Sequence, residues 1–198
     1  MLVGDELTER KREIRAWVRD TRSHMGEDRL TQGRVRLTAR LSELVLRLGA
    51  GSLSCFQPTR NEPDVGGFLE WARHQGINVL LPAVQDDGSL DWIRPNGVGS
   101  VVGAYGIEEP EGERLGSNAP EGVDLMLVPA AAVDVTGNRL GWGLGYFDRA
   151  LASLSRRPPV YAVVHDHEVL DSIPVESHDI PMDGVITPER TLVFASRR

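Results

Sequence analysis

Three glycines alternate with larger residues in the segment RLGWGLGYFDRAL, residues 139–151. They are Gly141, Gly143 and Gly145, with apolar sequence before them and a predicted helix after them. Because glycine lacks a Cβ atom, a phosphate group or a flat ring can lie directly against its main chain. Backbone N–H groups and the positive end of a following helix make such a turn an anion site. The spacing therefore predicts that residues 139–147 bind a phosphorylated ligand.

Charged side chains flank these glycines. Arg139 and Arg149 can donate charge-assisted hydrogen bonds to phosphate oxygens. Asp148 is a carboxylate in otherwise positive surroundings, which makes sense if Mg2+ lies between it and the phosphates, since this ion takes one or two carboxylates together with phosphate oxygens. The alternative is a tight turn in which the glycines are needed only for close packing and bind no ligand, with Asp148 and Arg149 as surface charges.

Other anion-binding motifs fit this segment less well. The dinucleotide fingerprint G-x-G-x-x-G would need glycine where Tyr146 stands, and the P-loop would need Gly-Lys-Ser/Thr, which the sequence does not contain. Residues 139–143 (R-x-G-x-G) are similar to the R-x-x-G-x-G/A pattern of coenzyme A-dependent acetyltransferases, with one residue fewer between the arginine and the first glycine. That alternative leaves Asp148 and Lys11 without a role, but it stays open at this point.

Composition and charge exclude several classes of protein. The net charge of −7 argues against a nucleic-acid binder, and no stretch approaches the roughly 20 apolar residues of a membrane span. The start of the chain does not resemble a signal peptide. Cys55 is the only cysteine, so an internal disulfide is excluded and a cytoplasmic location is expected. Lys11 is the only lysine among 22 basic residues, which is either chance or a need for a compact ammonium group at a phosphate.

Helices and buried strands alternate along the chain. Apolar spacing predicts helices over 5–25, 31–48, 64–75 and 146–154, and strands over 53–57, 77–84, 90–94, 159–165, 183–187 and 191–195. The second and third strands form a hairpin, and the most apolar segment is 124–135. Residues 95–122 are rich in Gly, Pro and Glu and are predicted to form a long ordered loop, with a short strand over 101–104. This pattern favours one α/β domain over residues 1–198 with a mostly parallel sheet.

Residues 137–151 resemble the hallmark G-x-R-L-G-x-G-x-G-Y-Y-D-R-x-L of the 5-formyltetrahydrofolate cyclo-ligase family, also called methenyltetrahydrofolate synthetases. Further landmarks of that family occur in the same order along essentially the whole chain: Lys11-x-x-x-Arg15, Pro58 and Glu62, Leu81-Pro82, Gly106-Ile107-x-Glu109-Pro110, Val128-Pro129 and His178-Asp179. The resemblance implies an enzyme that uses Mg2+ and ATP to close 5-formyltetrahydrofolate into 5,10-methenyltetrahydrofolate, releasing ADP and phosphate. It also implies a three-layer α/β/α sandwich like that of sugar-phosphate isomerases and coenzyme A transferases.

The resemblance also implies roles for individual residues. Lys11 and Arg15, one helical turn apart on one face, are expected to bind the ATP phosphates. The segment expected to wrap ATP comprises Arg139, Leu140, Gly141, Trp142, Gly143, Leu144, Gly145, Tyr146 and Phe147. The residues expected to contact the folate are Glu62, which faces its amino-pyrimidine edge, and Trp142, Gly145 and Tyr146. The residues expected to act in catalysis are Lys11, Arg139 and Tyr146. Asp148 and Asp179 are expected to hold Mg2+, with Asp183 as an alternative to Asp179.

Departures from the family pattern define a further alternative. Phe147 replaces a tyrosine, Leu144 replaces a glycine or lysine, and Pro63 follows Glu62 where a β-branched residue is usual. They leave open a paralogue with an altered substrate, or one that binds nucleotide or folate without turnover. The partners expected are ATP and a reduced folate, with no nucleic acid and no membrane, and the protein is expected to be a monomer.

Histidines and tryptophans contribute less to these predictions. His165 and His167 are expected to be surface or loop residues, since two histidines without a third ligand do not make a zinc site. Trp17, Trp71 and Trp92 are expected in the core or at its rim, whereas Trp142 is expected to stack on a ligand ring.

Overall fold

The structure is a computed structural model that describes residues 4–59, 62–102, 108–176 and 179–195. The α-helices are α1 (Gly4–Ser23), α2 (Glu27–Leu48), α3 (Gly66–His74) and α4 (Tyr146–Ser153). The strands are β1 (Ser52–Ser54), β2 (Asn78–Val84), β3 (Leu90–Val102), β4 (Glu108–Arg114), β5 (Leu125–Pro129), β6 (Ala132–Asp134), β7 (Arg139–Leu140), β8 (Val160–Val163), β9 (Val169–Leu170), β10 (Gly184–Ile186) and β11 (Thr191–Val193). The family landmarks Gly106, Ile107 and His178 lie outside the described residues.

The larger sheet is parallel at its centre. Its strand order is β11-β10-β8-β5-β1-β2-β3-β4. Strands β10, β8, β5, β1 and β2 pair in parallel, while β11, β3 and β4 add antiparallel pairs at the two edges. The carboxyl ends of the five parallel strands therefore lie at one edge of the sheet, which is where ligands bind in open α/β sheets. The prediction of an α/β fold is confirmed, with a sheet that is parallel at its centre and mixed as a whole.

Helices cover both faces of the central strands. On β5, Leu125 and Leu127 join the core cluster under α2 and α3, whereas Met126 and Val128 join a second cluster that includes Leu151 of α4. Successive side chains of a strand point to opposite faces, so a strand covered on both sides needs apolar residues at every position. This explains why 124–135 is the most apolar segment, although it divides into β5 of the large sheet and β6 of the small one.

A smaller sheet, in the order β7-β6-β9, carries α1. Ile14 and Val18 of α1, which lie four apart on one face of the helix, pack against Ala132 and Leu140 of this sheet. Trp17 is 43% exposed and does not belong to that face. Because Leu140 directly precedes the glycines, this packing sets α1 beside them. No helix in the described part of the chain is both long enough and apolar enough to cross a membrane.

The long loop predicted over 95–122 is wrong. Most of this region is a β-hairpin, in which β3 continues to Val102 and pairs antiparallel with β4. The two strands lie at the edge of the sheet, where side chains need not alternate between apolar and polar, and Pro is tolerated at an edge. Gly112 also marks a close approach, because a Cβ atom there would overlap the carbonyl oxygen of Arg94. The glycines and prolines that made this region resemble a loop are therefore residues that an edge strand can accommodate.

Element ends otherwise follow the predictions closely. Helix α2 begins at Glu27, four residues before its predicted start, and ends at Leu48. Gly49 caps it in the left-handed conformation with a φ of 63°, and the backbone N–H groups of Gly49 and Ala50 donate to the carbonyl oxygens of Leu46 and Val45. Strand β1 ends at Ser54, before the predicted end at residue 57, and the residues after it form a loop that lines the same cavity as the glycine segment. Trp92 is fully buried and Trp71 packs against the core under α2 and α3.

Candidate active site

A cavity of about 350 Å³ lies at the carboxyl edge of the parallel strands. The loop after β1, the ends of β2 and β5, and the segment between β7 and α4 contribute to its walls. The apolar residues lining it include Phe56, Pro82, Val84, Leu90, Pro129, Leu144 and Phe147. The charged residues lining it are Arg19, Glu62, Glu109, Arg139 and Asp148. An apolar cleft with a few convergent charged groups is typical of a small-molecule site.

The glycine loop, residues 141–145, forms one wall of this cavity. Gly143 has a φ of 101° and Gly145 a φ of 71°, a region that residues with a Cβ rarely adopt. Gly145 precedes the first turn of α4, so the loop leads directly into a helix amino terminus. Arg149 fixes the loop by donating to the carbonyl oxygens of Leu144, at 3.1 Å, and Gly88, at 2.6 Å. The glycine turn and the helix after it that the sequence predicts are confirmed, but Arg149 is engaged by backbone carbonyls.

Basic residues of α1 reach the glycine loop from the other side. Arg15 Nε donates to the carbonyl oxygen of Gly141 at 2.8 Å. Lys11 is 9% exposed, and its Nζ lies 2.7 Å from Glu176 Oε2 and 3.1 Å from Asp179 Oδ2. The fold thus brings together residues that are more than 120 positions apart in sequence.

Opposing charges surround Arg15. Burial and then the neighbouring positive charge of Arg19 lower its pKa, while Asp148, Asp179 and Glu176 act in the opposite direction. Both carboxylates expected to hold Mg2+ are therefore close enough to act on one guanidinium. In the described residues, no group of three or more His, Cys, Asp or Glu side chains could by itself hold a metal ion. A pair of carboxylates supplemented by phosphate oxygens is the arrangement typical of Mg2+ at a nucleotide.

Arg139 and Asp148 form an ion pair at the cavity wall. The Arg139 side chain is 3% exposed, and its Nη1 also donates to the carbonyl oxygen of Pro129 at 2.9 Å. The Asp148 side chain is 44% exposed, so it remains open to the cavity. Arg139 thus fixes the orientation of a carboxylate that a ligand or ion can reach.

The other predicted ligand contacts differ in how they meet the cavity. Glu62 lines it and accepts hydrogen bonds from the backbone N–H and the hydroxyl of Thr59, at 2.9 and 3.1 Å. Tyr146 lines it as the first residue of α4. Phe147 both lines it and packs edge-on against Trp92, with ring centroids 6.4 Å apart. Leu140 is 2% exposed in the core below the loop, so its side chain lies away from the cavity.

Trp142 lies between the cavity and α1. The guanidinium carbons of Arg19 and Arg22 lie 5.5 and 4.9 Å from its ring centroid, within the range of cation–π attraction. Arg22 in turn forms a buried ion pair with Glu168. The indole is therefore held in place by charged groups while part of it lines the cavity.

Two sequence interpretations need correction or refinement. His165 is buried at 7% exposure, and burial lowers its pKa to about 3, so it is not a surface residue. The 3-10 turn Asp166–Glu168 that follows it lies beneath α1, which explains the burial. Asp183 accepts a hydrogen bond from the backbone N–H of Val160 at 2.8 Å, at the amino end of β8. That end is opposite the cavity, so Asp183 lies away from it.

Comparison with known proteins agrees with this geometry. The profile of the 5-formyltetrahydrofolate cyclo-ligase family matches residues 7–188. The chain belongs to this family. A 5-formyltetrahydrofolate cyclo-ligase of Mycolicibacterium smegmatis is 37% identical over 156 residues, which cover 75% of this chain and 79% of that protein.

Solved structures show the same fold. The NMR structure of a 5,10-methenyltetrahydrofolate synthetase from Aquifex aeolicus is 28% identical and superposes with a TM-score of 0.81, covering 95% of this chain and 94% of the other. A synthetase from Mycoplasma pneumoniae is 21% identical with a TM-score of 0.72, covering 90% and 99%, and it supports the fold alone. The predictions that the chain is a member of this family and a ligase are confirmed. The coenzyme A-dependent acyltransferase considered for residues 139–143 is not its family.

Two charged residues of this cyclo-ligase family member were missed by sequence analysis. Glu176 contacts Lys11 but stands in a loop whose sequence carries no periodic signal. Arg19 lines the cavity and stands four residues after Arg15. Extending the Lys11–Arg15 spacing by one more helical turn would have identified it, because residues four apart share a helix face.

Proposed function

We propose that this chain catalyses the ATP- and Mg2+-dependent cyclisation of 5-formyltetrahydrofolate to 5,10-methenyltetrahydrofolate, with release of ADP and phosphate. The observation that carries the proposal is the contact of the glycine loop with Arg15, one helical turn after Lys11 on α1, beside a cavity lined by Glu62, in a chain of the cyclo-ligase family. The loop and the two cations suit a triphosphate, and the cavity suits a flat, partly apolar second substrate.

The chemistry explains why a nucleotide is needed. The formyl oxygen on N5 is a poor leaving group, so it must first be activated. Transfer of the γ-phosphoryl group to that oxygen releases ADP and leaves an iminium phosphate. N10 of the same molecule then attacks the formyl carbon and gives up its proton, and phosphate departs with the oxygen. Because the enzyme holds both nitrogens in one bound conformation, proximity provides much of the rate acceleration of ring closure. For the phosphoryl transfer that precedes it, positioning and charge stabilisation provide most of the acceleration.

Lys11 and Arg15 are proposed to bind the triphosphate along α1. In the structure Lys11 is neutralised by Glu176 and Asp179, so nucleotide binding must exchange one set of anionic partners for another. Arg15 already bridges from α1 to the carbonyl oxygen of Gly141, which aligns the helix with the loop. A compact ammonium and a planar guanidinium on one face can then contact different phosphate oxygens.

Asp148 and Asp179 are proposed to hold Mg2+. When bound, the ion neutralises charge that develops on the β- and γ-phosphate oxygens. Arg139 fixes the Asp148 carboxylate from the buried side, while the exposed part of Asp148 faces the cavity. Asp179 is held by the backbone N–H of Glu176 at 2.8 Å as well as by Lys11. Both carboxylates are therefore oriented before any ligand binds.

Glu62, Trp142, Gly145 and Tyr146 are proposed to contact the folate. The carboxylate of Glu62 suits the donor-rich amino-pyrimidine edge of the pterin. Tyr146 and residues of the glycine loop line the same cavity as Glu62, so the formyl group is proposed to meet the γ-phosphate in this cavity.

Three further statements belong to the proposal. We expect the enzyme to be cytoplasmic, since its only cysteine is fully buried and a reducing compartment suits it. We expect a monomer, with ATP and a reduced folate as its partners. We also expect the likeness to sugar-phosphate isomerases and coenzyme A transferases to hold, because helices cover both faces of the parallel centre of the sheet.

The test is to mix purified protein with 5-formyltetrahydrofolate, ATP and Mg2+ and to follow the methenyl product. Its conjugated N–CH–N bridge absorbs at longer wavelength than the substrate, and phosphate release should match product formation one to one. Omitting ATP or adding EDTA should abolish the signal. Thermal stabilisation by ATP without product would instead indicate a non-catalytic paralogue, and stabilisation by acetyl-coenzyme A but not ATP would indicate an acyltransferase.

A further inference from the structure

Basic residues of α1 form a stripe that faces the site. Lys11, Arg15 and Arg19 are spaced four apart, so they lie on one side of the helix, and Arg22 continues the stripe. Three of the four have polar or charged partners. Lys11 contacts Glu176 and Asp179, Arg15 donates to a backbone carbonyl, and Arg22 is paired with Glu168.

Arg19 differs from these neighbours. Its guanidinium lies over the ring of Trp142, and within the described ranges it has no carboxylate within salt-bridge distance. Its positive charge also lowers the pKa of Arg15, after burial of Arg15 itself, which means that the two guanidinium groups repel each other at close range. An anion bound beside Arg19 would relieve that repulsion.

The cavity distinguishes Arg19 from Lys11 and Arg15, the two residues of α1 assigned to the ATP phosphates. Arg19 lines the cavity together with Glu62 and Trp142, whereas Lys11 and Arg15 are not among its lining residues in the described parts of the chain. The other cavity arginine, Arg139, is already paired with Asp148. Among the residues that the structure describes, Arg19 is thus the cation of this cavity that has no carboxylate to balance its charge.

We infer that Arg19, held by Trp142, binds a carboxylate of the glutamate tail of the folate substrate. The inference rests on the proposed function, which supplies a ligand with a donor-rich pterin at one end and carboxylates at the other. Glu62 suits the first end and Arg19 the second, while the Trp142 indole borders the space for the aromatic ring between them. Cation–π contact with the indole keeps the guanidinium in position, so less side-chain freedom is lost when the carboxylate binds.

The anion could instead be a phosphate of ATP, which shares the same charge chemistry. The geometry favours the tail because Arg19 shares its cavity with Glu62 and not with the two phosphate-binding residues of α1. If Arg19 binds an ATP phosphate, its replacement should weaken ATP binding. If it binds the glutamate tail, its replacement should weaken binding only of folates that carry the tail carboxylate.

The experiment compares Arg19→Gln, Arg19→Lys and the control Arg12→Gln. Arg12 lies on the same helix with its side chain 75% exposed and paired with Glu9, and it does not line the cavity. Steady-state kinetics are measured with 5-formyltetrahydrofolate and with an analogue whose glutamate is replaced by a neutral amide. Equilibrium dissociation constants for both folates are measured without ATP by calorimetry.

Arg19→Gln should raise KM and Kd for 5-formyltetrahydrofolate about five- to tenfold. This loss of affinity lies between the loss expected from removing an exposed ion pair and that expected from removing a desolvated one. It should leave kcat, KM for ATP and binding of the amide analogue unchanged. Arg19→Lys should retain most of the affinity, and Arg12→Gln should behave like the wild type.

An equal loss for both folates, no loss for either, or a change confined to ATP would overturn the inference. If the wild-type protein makes no product with either folate, the proposed function fails. The calorimetric comparison then still decides whether Arg19 recognises the tail.

Discussion

Glu168 and Arg22 join α1 to the turn after β8 through an ion pair that solvent does not reach. Arg22 Nε lies 2.6 Å from Glu168 Oε1, and Arg22 Nη2 lies 2.8 Å from Oε2. The backbone N–H of His165 also donates to Oε2 at 2.7 Å. The two side chains are 1% and 0% exposed. The Glu168→Gln variant tests what this pair contributes, because it keeps the shape of the side chain and removes its charge.

The expected cost follows from the number of donors that face the carboxylate. Glutamine offers one oxygen, so its amide nitrogen must face either Arg22 Nε or both Arg22 Nη2 and the N–H of His165, and a buried guanidinium loses its counter-charge. Breaking a buried pair by removing one partner costs about 3–5 kcal/mol, a large part of the 5–15 kcal/mol that stabilises a typical domain. The double variant Arg22→Met with Glu168→Gln removes the unpaired charge, so we expect it to recover about 2 kcal/mol or more of the free energy of unfolding.

Urea denaturation at neutral pH, followed by far-UV circular dichroism, measures these free energies. The matched control is Glu189→Gln, because Glu189 Oε1 also lies 2.6 Å from an arginine, Arg36, but both side chains are more than half exposed. An exposed pair contributes only about 0–1 kcal/mol. If Glu168→Gln costs no more than Glu189→Gln, or if the double variant recovers nothing, burial does not determine the energy of this pair and the reasoning is refuted.

Three other changes test the site and its surroundings. Lys11→Ala should raise KM for ATP about tenfold to a hundredfold while circular dichroism stays unchanged, since a hydrogen bond to a charged group contributes about 1.5–3 kcal/mol; unaltered ATP kinetics would remove Lys11 from the site. Asp148→Asn should raise the Mg2+ concentration for half-maximal activity at least about tenfold, and an unchanged metal titration would mean that this carboxylate is structural. His165 stays neutral in the folded protein down to about pH 3 but takes up a proton near pH 6.5 when unfolded, so the unfolded state binds more protons between these values. Lowering the pH from 7 to 5 should therefore cost about 2 kcal/mol of stability through this residue, and urea denaturation of His165→Asn should show a pH dependence smaller by that amount; equal pH dependences would contradict the burial argument.

The conformation of the glycine loop could be predicted because its determinants are local. The positive φ values of Gly143 and Gly145 require residues without a Cβ, and the carboxylate of Asp148 falls in the first turn of the helix that follows. The same holds for α2, which ends where Gly49 adopts the left-handed conformation. Strand β5 was evident from its apolar run, because a strand buried on both faces needs apolar side chains at every position.

The hairpin of β3 and β4 could not be predicted from such patterns. Edge strands bury little on either face, so their sequence carries no strict alternation and resembles a loop. Only the pairing of residues such as Val101 with Glu109 shows that this region is part of the sheet. The burial of His165 was likewise invisible, since it depends on α1 covering the turn after β8.

The amino-acid sequence by itself determined the glycine loop, the helix and strand types, and the family, because each depends on residues close together in the chain or on a fixed order of short motifs. Only the tertiary structure decided which charges meet. Lys11 contacts Glu176 and Asp179 across 165 and 168 positions, and Arg19 is left facing the cavity without a carboxylate among the described residues. The electrostatic energy of two charges depends on their distance in space and not on their separation in the sequence. Which charges pair is therefore decided only when the sheet order and the packing of α1 bring these side chains within a few ångströms of one another.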